Sequence, residues 1–210
     1  KIVASIQVRM GSSRLPGKVM KPVMGRPLLG HLLDRLRLCL TIDEIIVATA
    51  MAKENDLIEE FCGKENISCY RGSENDVLDR TLSALIAASA TIGVEVYGDC
   101  PLIDPKIVDQ IVGYFIHNPG YDFVSNDLKT TYPPGMEVEV FRVAALADAS
   151  QKLKPNHPDR EHGTLFIRQH PEHYKIYNIS APEKYSRPEL ELEVDTIEDF
   201  EVLSEIIEHF

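Results

Sequence analysis

The sequence predicts an α/β domain in which a mostly parallel sheet carries helices on both faces. Short apolar runs rich in β-branched residues alternate with segments whose apolar residues recur at helical spacing. Strands and helices succeed one another regularly through the first half of the chain, as in βαβ units. A length of 210 residues with 44% hydrophobic content is sufficient for one domain with a sizeable core.

The first half of the chain alternates strand and helix without interruption. Ile2–Val8 is apolar and β-branched and is soon followed by Gly11, which indicates a buried first strand. Pro27 suits the first turn of a helix, and Asp104 is a good N-cap. The elements predicted up to residue 117 are a strand at Ile2–Val8, a helix after Pro27, a strand at Glu44–Ala50, a helix at Lys53–Asn66, a strand at Ile67–Tyr70, a helix at Asp76–Ala90, a strand at Gly93–Tyr97 and a helix at Pro105–His117.

The regular alternation ends near residue 120. We interpret 120–175 as an inserted arm on the main sheet rather than a separate domain, so that 1–210 forms a single domain. The elements predicted in this half are strands at Tyr121–Ser125 and Glu137–Arg142, helices at Val143–Leu153 and Arg160–Gln169, strands at Lys175–Ile179 and Leu190–Val194, and a last helix from Thr196.

The overall charge argues against several classes of partner. A formal net charge of −11 disfavours non-specific binding to nucleic acid or to an anionic membrane. The longest uncharged stretch near the middle, Thr81–Val94, is too short to span a bilayer, and we find no signal-peptide pattern. The four cysteines lack CxxC spacing and indicate reduced thiols, so we expect a cytoplasmic protein.

A glycine-rich basic stretch follows the first predicted strand. Between Val8 and Pro27 the chain carries five Lys or Arg residues and no acid, and the first acid is Asp34. Ligands of α/β sheets bind beyond the carboxyl ends of the strands, where Gly11 and Gly17 would let the backbone turn and direct N–H groups at an anion. We therefore predict a polyphosphate cradle. Its other candidate residues are Arg9, Ser12, Ser13, Arg14 and Lys18.

Two common phosphate-loop motifs do not describe this stretch. A Walker loop requires Ser or Thr after Lys18, where Val19 stands, and GxGxxG requires glycine where Ser13 stands. The alternative interpretation is a solvated basic loop, which is the usual meaning of a run of charges. The absence of acids over 33 residues favours the phosphate cradle.

Two aspartates at the ends of predicted strands are candidate metal ligands. Asp99 follows a strand in GDCPL, and Asp195 follows another in EVDT. Mg²⁺ prefers oxygen ligands and also takes substrate phosphates, so such a pair suits magnesium rather than zinc. The alternative is a strand-end turn or a helix cap, which fits Asp195 well because a helix follows it.

The segment RMGSSRLPGKVM closely resembles the N-terminal signature of nucleotidyltransferases that make CMP-sugars, in particular their spore-coat polysaccharide branch. The resemblance continues along nearly the whole chain, through RGSENDVLDR, GDCPLIDP, GMEVEVF, REH and VDTIEDF in the family's order. It implies a Rossmann-like, three-layer nucleotidyltransferase fold, a loop that holds the triphosphate of CTP, aspartates that hold Mg²⁺, and a homodimer. Val8 departs from the family, which often has alanine there.

The resemblance also implies roles for residues in the first half of the chain. Arg9, Lys18 and Asp99 are expected to act in catalysis. The base or ribose is expected near three residues of RGSENDVLDR, and the alternative is that Ser73, Asn75 or Asp76 caps the helix that follows. The three residues expected near the base or ribose are Arg71, Ser73 and Asn75.

In the second half of the chain the resemblance implies acceptor contacts. Arg160 and His162 belong to the REH motif, and the arm would serve both acceptor binding and dimerisation. Glu137 and Glu139 alternate along a predicted strand, so both should face one side, either toward the acceptor or as lining of the arm.

The resemblance, together with the phosphate cradle and the two aspartates, implies a Mg²⁺-dependent enzyme that transfers CMP from CTP to a 2-keto-3-deoxy sugar acid and releases pyrophosphate, for surface polysaccharide synthesis. Positioning and charge stabilisation dominate such transfers, and no protein nucleophile is required. Two alternatives stay open: a nucleotidyltransferase that uses another nucleoside triphosphate or a sugar 1-phosphate, and a nucleotide-binding module without turnover.

Overall fold

The computed structural model describes all residues from Lys1 to Phe210. The strands are β1 (Ile2–Gln7), β2 (Pro22–Val23), β3 (Arg26–Pro27), β4 (Glu44–Ala50), β5 (Ser68–Gly72), β6 (Ile92–Tyr97), β7 (Phe123–Ser125), β8 (Glu139–Arg142) and β9 (Ile176–Asn178). The α-helices are α1 (Leu28–Leu36), α2 (Asp56–Glu65), α3 (Val77–Ala87), α4 (Pro105–His117), α5 (Val143–Lys152), α6 (Leu165–Gln169) and α7 (Ile197–His209).

Seven strands form one central sheet in the order β5-β4-β1-β6-β8-β7-β9, and β2 pairs with β3 in a separate hairpin. β1 is parallel to both β4 and β6, β4 is parallel to β5, and β7 is parallel to β9. Only β8 runs against its neighbours, β6 and β7. The predicted α/β, Rossmann-like fold with a mostly parallel sheet is therefore confirmed.

The segment 120–175 is integrated into this sheet. It supplies β7 and β8, and β8 inserts beside β6, so the two strands extend the parallel core rather than project from it. The segment also supplies α5 and α6, which pack on one face of the sheet.

The alternation of side chains along each strand divides the core into two layers. On β1, for example, Ala4 and Ile6 face one cluster of 25 buried residues, whereas Val3 faces a second cluster of 17. Helices α1, α2 and α4 cover the first face, and α3, α5 and α6 cover the second. A third, small cluster joins the loop after β1 to α7 through Leu15 and Leu203.

Several helix starts follow from capping. The side chain of Asp76 accepts a hydrogen bond from the N–H of Asp79 at the start of α3, and Asp104 caps α4 as predicted. Thr196 and Asp199 form a reciprocal capping box at the start of α7.

Two predicted elements are wrong. The helix expected at Arg160–Gln169 is divided into a 3-10 turn at Pro158–Glu161 and the short helix α6, with Gly163 between them. The strand expected at Leu190–Val194 does not form. Its backbone makes separate hydrogen bonds, from the Leu192 N–H to the Pro134 carbonyl (2.7 Å) and from the Val194 N–H to the Asp99 carbonyl (2.9 Å). An apolar run without a continuous partner strand has no ladder to join.

No helix of the structure has both the length and the apolar character required to cross a membrane.

Candidate active site

A cleft of about 310 Å³ opens at the carboxyl ends of β1 and β6, where the loop after β1 faces the loop after β6. This is the edge at which α/β sheets bind ligands. The residues that line it are Gln7, Val8, Arg9, Ser12, Ser13, Arg14, Lys18, Val19, Val77, Arg80, Tyr97, Gly98, Asp99 and Asp195. The cleft therefore contains most of the predicted cradle together with both predicted metal ligands.

The backbone of the loop is held closed at its base. The Met10 carbonyl accepts hydrogen bonds from the N–H groups of Ser12 (3.0 Å) and Gly17 (2.8 Å). Gly17 has a φ of 72°, in the left-handed region that favours glycine. The N–H groups at positions 11, 13 and 14 have no partner within the chain, so they remain free for an anion.

Lys18 links the loop to both aspartates. Its Nζ donates to Asp99 Oδ2 (2.8 Å), to Asp195 Oδ1 (3.0 Å) and to the Val194 carbonyl (2.6 Å). Burial acts to lower the pKa of Lys18, but the two carboxylates outweigh it and the pKa is raised. Lys18 is therefore charged, and it holds three distant segments of the chain at one point.

The two carboxylates have the donor set of a divalent-cation site. Asp99 and Asp195 lie close enough to share one cation, because both contact the same lysine nitrogen. Carboxylate oxygens that open onto a phosphate-binding loop suit magnesium or a similar hard ion. The chemistry of these residues fits such an ion, which would share the two carboxylates with the Lys18 ammonium.

The cations of the basic stretch divide into two groups. Arg9 and Arg14 line the cleft, where Arg9 contacts Glu74 (2.9 Å) and Arg14 contacts Asp195 (2.7 Å). Lys21 lies over the ring of Phe200, 5.3 Å from its centroid. Arg26 does not line the cleft and forms ion pairs with Asp34 and Glu65 instead. Only part of the acid-free stretch thus serves the cleft.

A second cavity of about 620 Å³ adjoins the cleft and shares three lining residues with it, Gln7, Val77 and Tyr97. It lies between the sheet and the segment from 161 to 169. Of the residues predicted to contact an acceptor, Glu139 and His162 line this cavity. The remaining lining residues are Glu95, Leu128, Glu161, Gly163, Thr164, Leu165, Arg168 and Gln169.

The other two predicted acceptor residues lie elsewhere. Arg160 is buried and contacts Asp76 Oδ2 (2.6 Å) and the Ser150 carbonyl (3.0 Å), which joins α3 to α5. Glu137 precedes β8, and one of its oxygens accepts from the Gly135 N–H (2.6 Å). Glu137 and Glu139, which were expected to face one side, have different surroundings: Glu139 lines the second cavity, whereas the Glu137 carboxylate lies within 4.8 Å of Cys100 Sγ and of a Glu193 carboxylate oxygen.

The predicted base-binding residues do not enter the cleft either. Arg71 is engaged by Asp56 (2.6 Å) and Glu59 (2.8 Å) and by two backbone carbonyls. The Ser73 hydroxyl accepts from the N–H of Asp76, Asp76 is the residue that caps α3, and Asn75 is exposed. The ion pairs with Asp56 and Glu59 account for the position of the Arg71 side chain without a ligand.

Some cleft residues were missed by sequence reasoning. The guanidinium of Arg80 contacts Gln7 Oε1 (3.0 Å) and the backbone carbonyls of residues 73 and 74. An arginine within an otherwise apolar helical pattern was the available signal. The cavity residues Glu95 and Arg168 gave a similar signal, as charges within otherwise apolar segments.

The fold and the cleft define a class of enzyme: a basic loop with free N–H groups faces two carboxylates, as nucleotidyl transfer requires. The sequence matches the family model described as cytidylyltransferase over residues 3–209. The chain belongs to this family and is a nucleotidyltransferase, so the resemblance to CMP-sugar cytidylyltransferases is confirmed.

Named relatives refine the comparison. The chain is 34% identical over 205 residues to the spore coat polysaccharide biosynthesis protein SpsF of Bacillus subtilis, covering 95% of this chain and 83% of that protein. It is 36% identical over 116 residues to 8-amino-3,8-dideoxy-manno-octulosonate cytidylyltransferase of Shewanella piezotolerans, covering 55% of this chain and 47% of that protein.

Solved structures also show similarity to this chain. A cytidylyltransferase from Leptospira borgpetersenii superposes with a TM-score of 0.94 at 34% identity, covering 100% of this chain and 87% of that chain. CMP:2-keto-3-deoxy-manno-octonic acid synthetase complexed with CTP superposes with a TM-score of 0.72, covering 100% of this chain and 99% of that chain. At 18% identity the second likeness concerns the fold alone.

Proposed function

We propose that this enzyme transfers CMP from CTP to a 2-keto-3-deoxy sugar acid and releases pyrophosphate, in the synthesis of a surface polysaccharide. The observation that carries the proposal is the convergence of Lys18, Asp99 and Asp195 beside a loop with free N–H groups. Support for the donor and the acceptor class comes from the names of the Shewanella relative and of the synthetase with the same fold. The name of SpsF supports the polysaccharide.

The triphosphate would lie against the loop after β1. The free N–H groups of this loop would donate to phosphate oxygens, and Arg9 and Arg14 would neutralise their charge. Both arginine side chains are about half exposed or more, so they can leave Glu74 and Asp195 for a phosphate without opening the core. Lys18 would contribute a third positive charge from beneath the loop.

Asp99 and Asp195 would hold Mg²⁺. When bound, this ion would offset the charge that develops on the attacking and leaving oxygens. The residues of the chain would position the two metal ligands. Lys18 keeps the two carboxylates together, and Gly98 lets the end of β6 approach β1 closely.

The acceptor would occupy the second cavity. Its anomeric hydroxyl would reach the α-phosphorus across the boundary formed by Gln7, Val77 and Tyr97, which line both spaces. A bond forms from this oxygen to phosphorus, the bond to the β-phosphate oxygen breaks, and the hydroxyl proton passes to solvent. We further propose that the enzyme acts as a homodimer in the cytoplasm, with 120–175 contributing to acceptor binding and to the dimer contact.

A variant of Asp99 tests the chemistry. Asp99→Asn keeps the size of the side chain but removes a charge, so pyrophosphate release from CTP and a sugar acid should fall by about 100-fold. The unfolding temperature should change little, because the side chain is partly exposed. Asp79→Asn, which alters an exposed aspartate without a side-chain partner on α3, is the control. Equal loss of folding and turnover in Asp99→Asn would contradict the assignment.

A further inference from the structure

Arg80 differs from the other cations of the nucleotide cleft in its partners. The loop cations Arg9, Arg14 and Lys18 each contact at least one carboxylate. Arg80 lines the same cleft but forms no ion pair, and its residue is 3% exposed. Because arginine does not lose its proton in proteins, a buried guanidinium without an ion pair needs an explanation.

Neutral groups hold this guanidinium in place. Arg80 Nε donates to Gln7 Oε1 (3.0 Å), and Nη1 donates to the carbonyls of residues 73 and 74. Gln7 is itself oriented by a hydrogen bond from its Nε2 to Ser5 Oγ (3.1 Å). These bonds fix the plane of the guanidinium, but they supply no net negative charge to balance it.

One nitrogen of the guanidinium is free. Nη2 of Arg80 makes no hydrogen bond within the chain, whereas Nε and Nη1 both do. The buried nitrogen and oxygen atoms that lack a partner belong to other residues, so Nη2 is not sealed within the interior. Its two N–H donors therefore open onto the cleft that Arg80 lines, where they are available to a ligand.

The surrounding chain makes room for this charge but does not stabilise it. A Cβ atom at Gly72 would lie 3.0 Å from Arg80 Cγ and 3.3 Å from Arg80 Cβ, so a glycine at the end of β5 leaves space for the arginine stem. Arg80 also lies near the start of α3, the helix end whose dipole disfavours a cation. Burial lowers the pKa of Arg80 against the attraction of Glu74. The empty protein thus maintains a positive charge that no carboxylate contacts.

Arg80 lies on the nucleotide side of the boundary between the cleft and the second cavity. Its partner Gln7 lines both spaces, and so does Val77, which lies three residues earlier on the same face of α3. Arg80 itself lines the cleft but not the second cavity. In the proposed reaction the α-phosphate must lie at this boundary, because the acceptor hydroxyl reaches phosphorus from the second cavity.

We propose that Arg80 is a further catalytic residue, which binds a non-bridging oxygen of the α-phosphate through Nη2. The proposal rests on the function proposed above and adds a residue to its site. A phosphate oxygen supplies both the acceptor that Nη2 lacks and the negative charge that the chain does not provide. A ribose hydroxyl or a base carbonyl would supply the acceptor alone. The carboxylate of the sugar acid would lie in the second cavity, which Arg80 does not line.

Such a contact would serve the chemical step. As the acceptor oxygen bonds to the α-phosphorus and the bond to the β-phosphate oxygen breaks, negative charge is spread over the equatorial oxygens of the transition state. A guanidinium already fixed by Gln7 and by two carbonyls meets this charge without rearranging. Arg80 neither gains nor loses a proton in the step.

Two ligands that differ by the α-phosphate alone test the proposal. CMP and cytidine are titrated calorimetrically into the full chain without added metal, and the ratio of their affinities isolates the phosphate. Arg80→Gln, which removes the charge, should lower this ratio about tenfold or more and leave the affinity for cytidine unchanged. Pyrophosphate release at saturating CTP should fall by about 100-fold. Arg187→Gln, which changes an exposed arginine that contacts only Glu189, is the control and should keep the wild-type ratio.

A second variant covers the case in which Arg80→Gln does not fold. Arg80→Lys keeps the buried stem and the charge, but its single nitrogen would be engaged by the carbonyls of residues 73 and 74. The ratio of CMP to cytidine affinity should therefore fall in this variant as well. Thermal unfolding identifies which of the two variants is folded.

The outcomes separate this proposal from the proposed function. Equal binding of CMP and cytidine by the wild-type protein, or a wild-type ratio in a folded Arg80 variant, would overturn the role of Arg80. An unchanged ratio with a raised KM for the sugar acid would overturn it in favour of a contact with the acceptor carboxylate. Turnover of CTP by the wild-type protein would uphold the proposed function in each of these cases. Absence of CTP binding would overturn the proposed function and, with it, the role of Arg80.

Discussion

At the scale of single residues, two kinds of buried charge characterise this enzyme. Lys18 is surrounded by opposite charges and by a carbonyl, and its pKa is raised. Glu95 faces another glutamate and is left without a cation. The first arrangement stabilises the site before any substrate binds. The second would leave an unpaired charge in the interior, so folding favours the neutral, protonated form of Glu95.

The buried Glu95 should make stability depend on pH in a specific direction. Its pKa rises from 4.5 to about 8 on folding, so the folded state binds the proton more tightly than the unfolded state. The stability that this proton confers is present at low pH and is lost as pH rises through that interval. The charged groups around it, Glu139, Arg80 and Arg168, remain in the variant Glu95→Gln.

Thermal unfolding of both proteins between about pH 5 and pH 8 measures this effect. The unfolding temperature of the wild-type protein should fall relative to that of Glu95→Gln as pH increases. Parallel curves for the two proteins would show that Glu95 keeps an ordinary pKa in the fold.

At the scale of elements, the ends of β1 and β6 determine the shape of the cleft. A Cβ atom at Gly98 would lie 2.2 Å from Val8 Cγ1 and 2.7 Å from the Gln7 carbonyl oxygen. The nearest atom belongs to the Val8 side chain, so this valine packs directly against the end of β6. The loop after β6, which carries Asp99, can reach Lys18 only because position 98 has no side chain.

Gly98→Ala should therefore separate the two strand ends. We expect a loss of about 1–3 kcal/mol in unfolding free energy, as for overpacking in a core, together with weaker nucleotide binding. Adding Val8→Ala should restore part of the stability, since it removes the closest atom but not the Gln7 carbonyl. Gly113→Ala, in α4 with no atom within 4 Å of its Cβ, is the control and should not destabilise. Chemical denaturation measures all four proteins, and an unchanged stability of Gly98→Ala would contradict this account.

The elements that sequence reasoning predicted well are those governed by local patterns. Glu44–Ala50 and Pro105–His117 have the predicted bounds, because a β-branched apolar run and an aspartate cap specify them without help from distant residues. The failure at Leu190–Val194 has the opposite cause. Its apolar pattern is real, but its partners are isolated carbonyls of residues 134 and 99, which no local pattern reveals.

The same contrast holds for the candidate site. Lys18 was predicted from the charge of the basic stretch and Asp99 from the end of a strand, and the structure brings both together with Asp195, although the strand expected before Asp195 does not form. Arg71 and Arg160 have the same chemistry in the sequence, yet each is held by acids and carbonyls outside both cavities, and the acid that holds Arg160, Asp76, is 84 residues away in the chain. A sequence shows that an arginine is present but does not show which acid will engage it.

At the scale of the whole molecule, the charge distribution agrees with the proposed reaction. The chain has a net charge of −11, yet the cleft gathers Arg9, Arg14, Lys18 and Arg80. A positive cleft in an acidic protein attracts a polyphosphate and repels extended polyanions from the remaining surface. The adjoining cavity is lined by three acidic side chains, Glu95, Glu139 and Glu161, and by the basic side chain of Arg168. A cavity with charges of both signs suits a ligand that is smaller than a polyphosphate and carries mixed polar groups.

The most direct test of the central claim is a calorimetric titration of the folded protein with CTP, UTP, GTP, ATP and NADH, each with Mg²⁺. We predict selective binding of CTP, weakened about tenfold or more in Arg14→Ala through loss of a phosphate contact. Arg187→Ala, which removes an exposed arginine that contacts only Glu189, should bind CTP normally. Binding of another nucleotide in preference to CTP would contradict the proposed donor. Absence of nucleotide binding, or CTP binding that Arg14→Ala leaves unchanged, would contradict the assignment of the basic loop to the triphosphate.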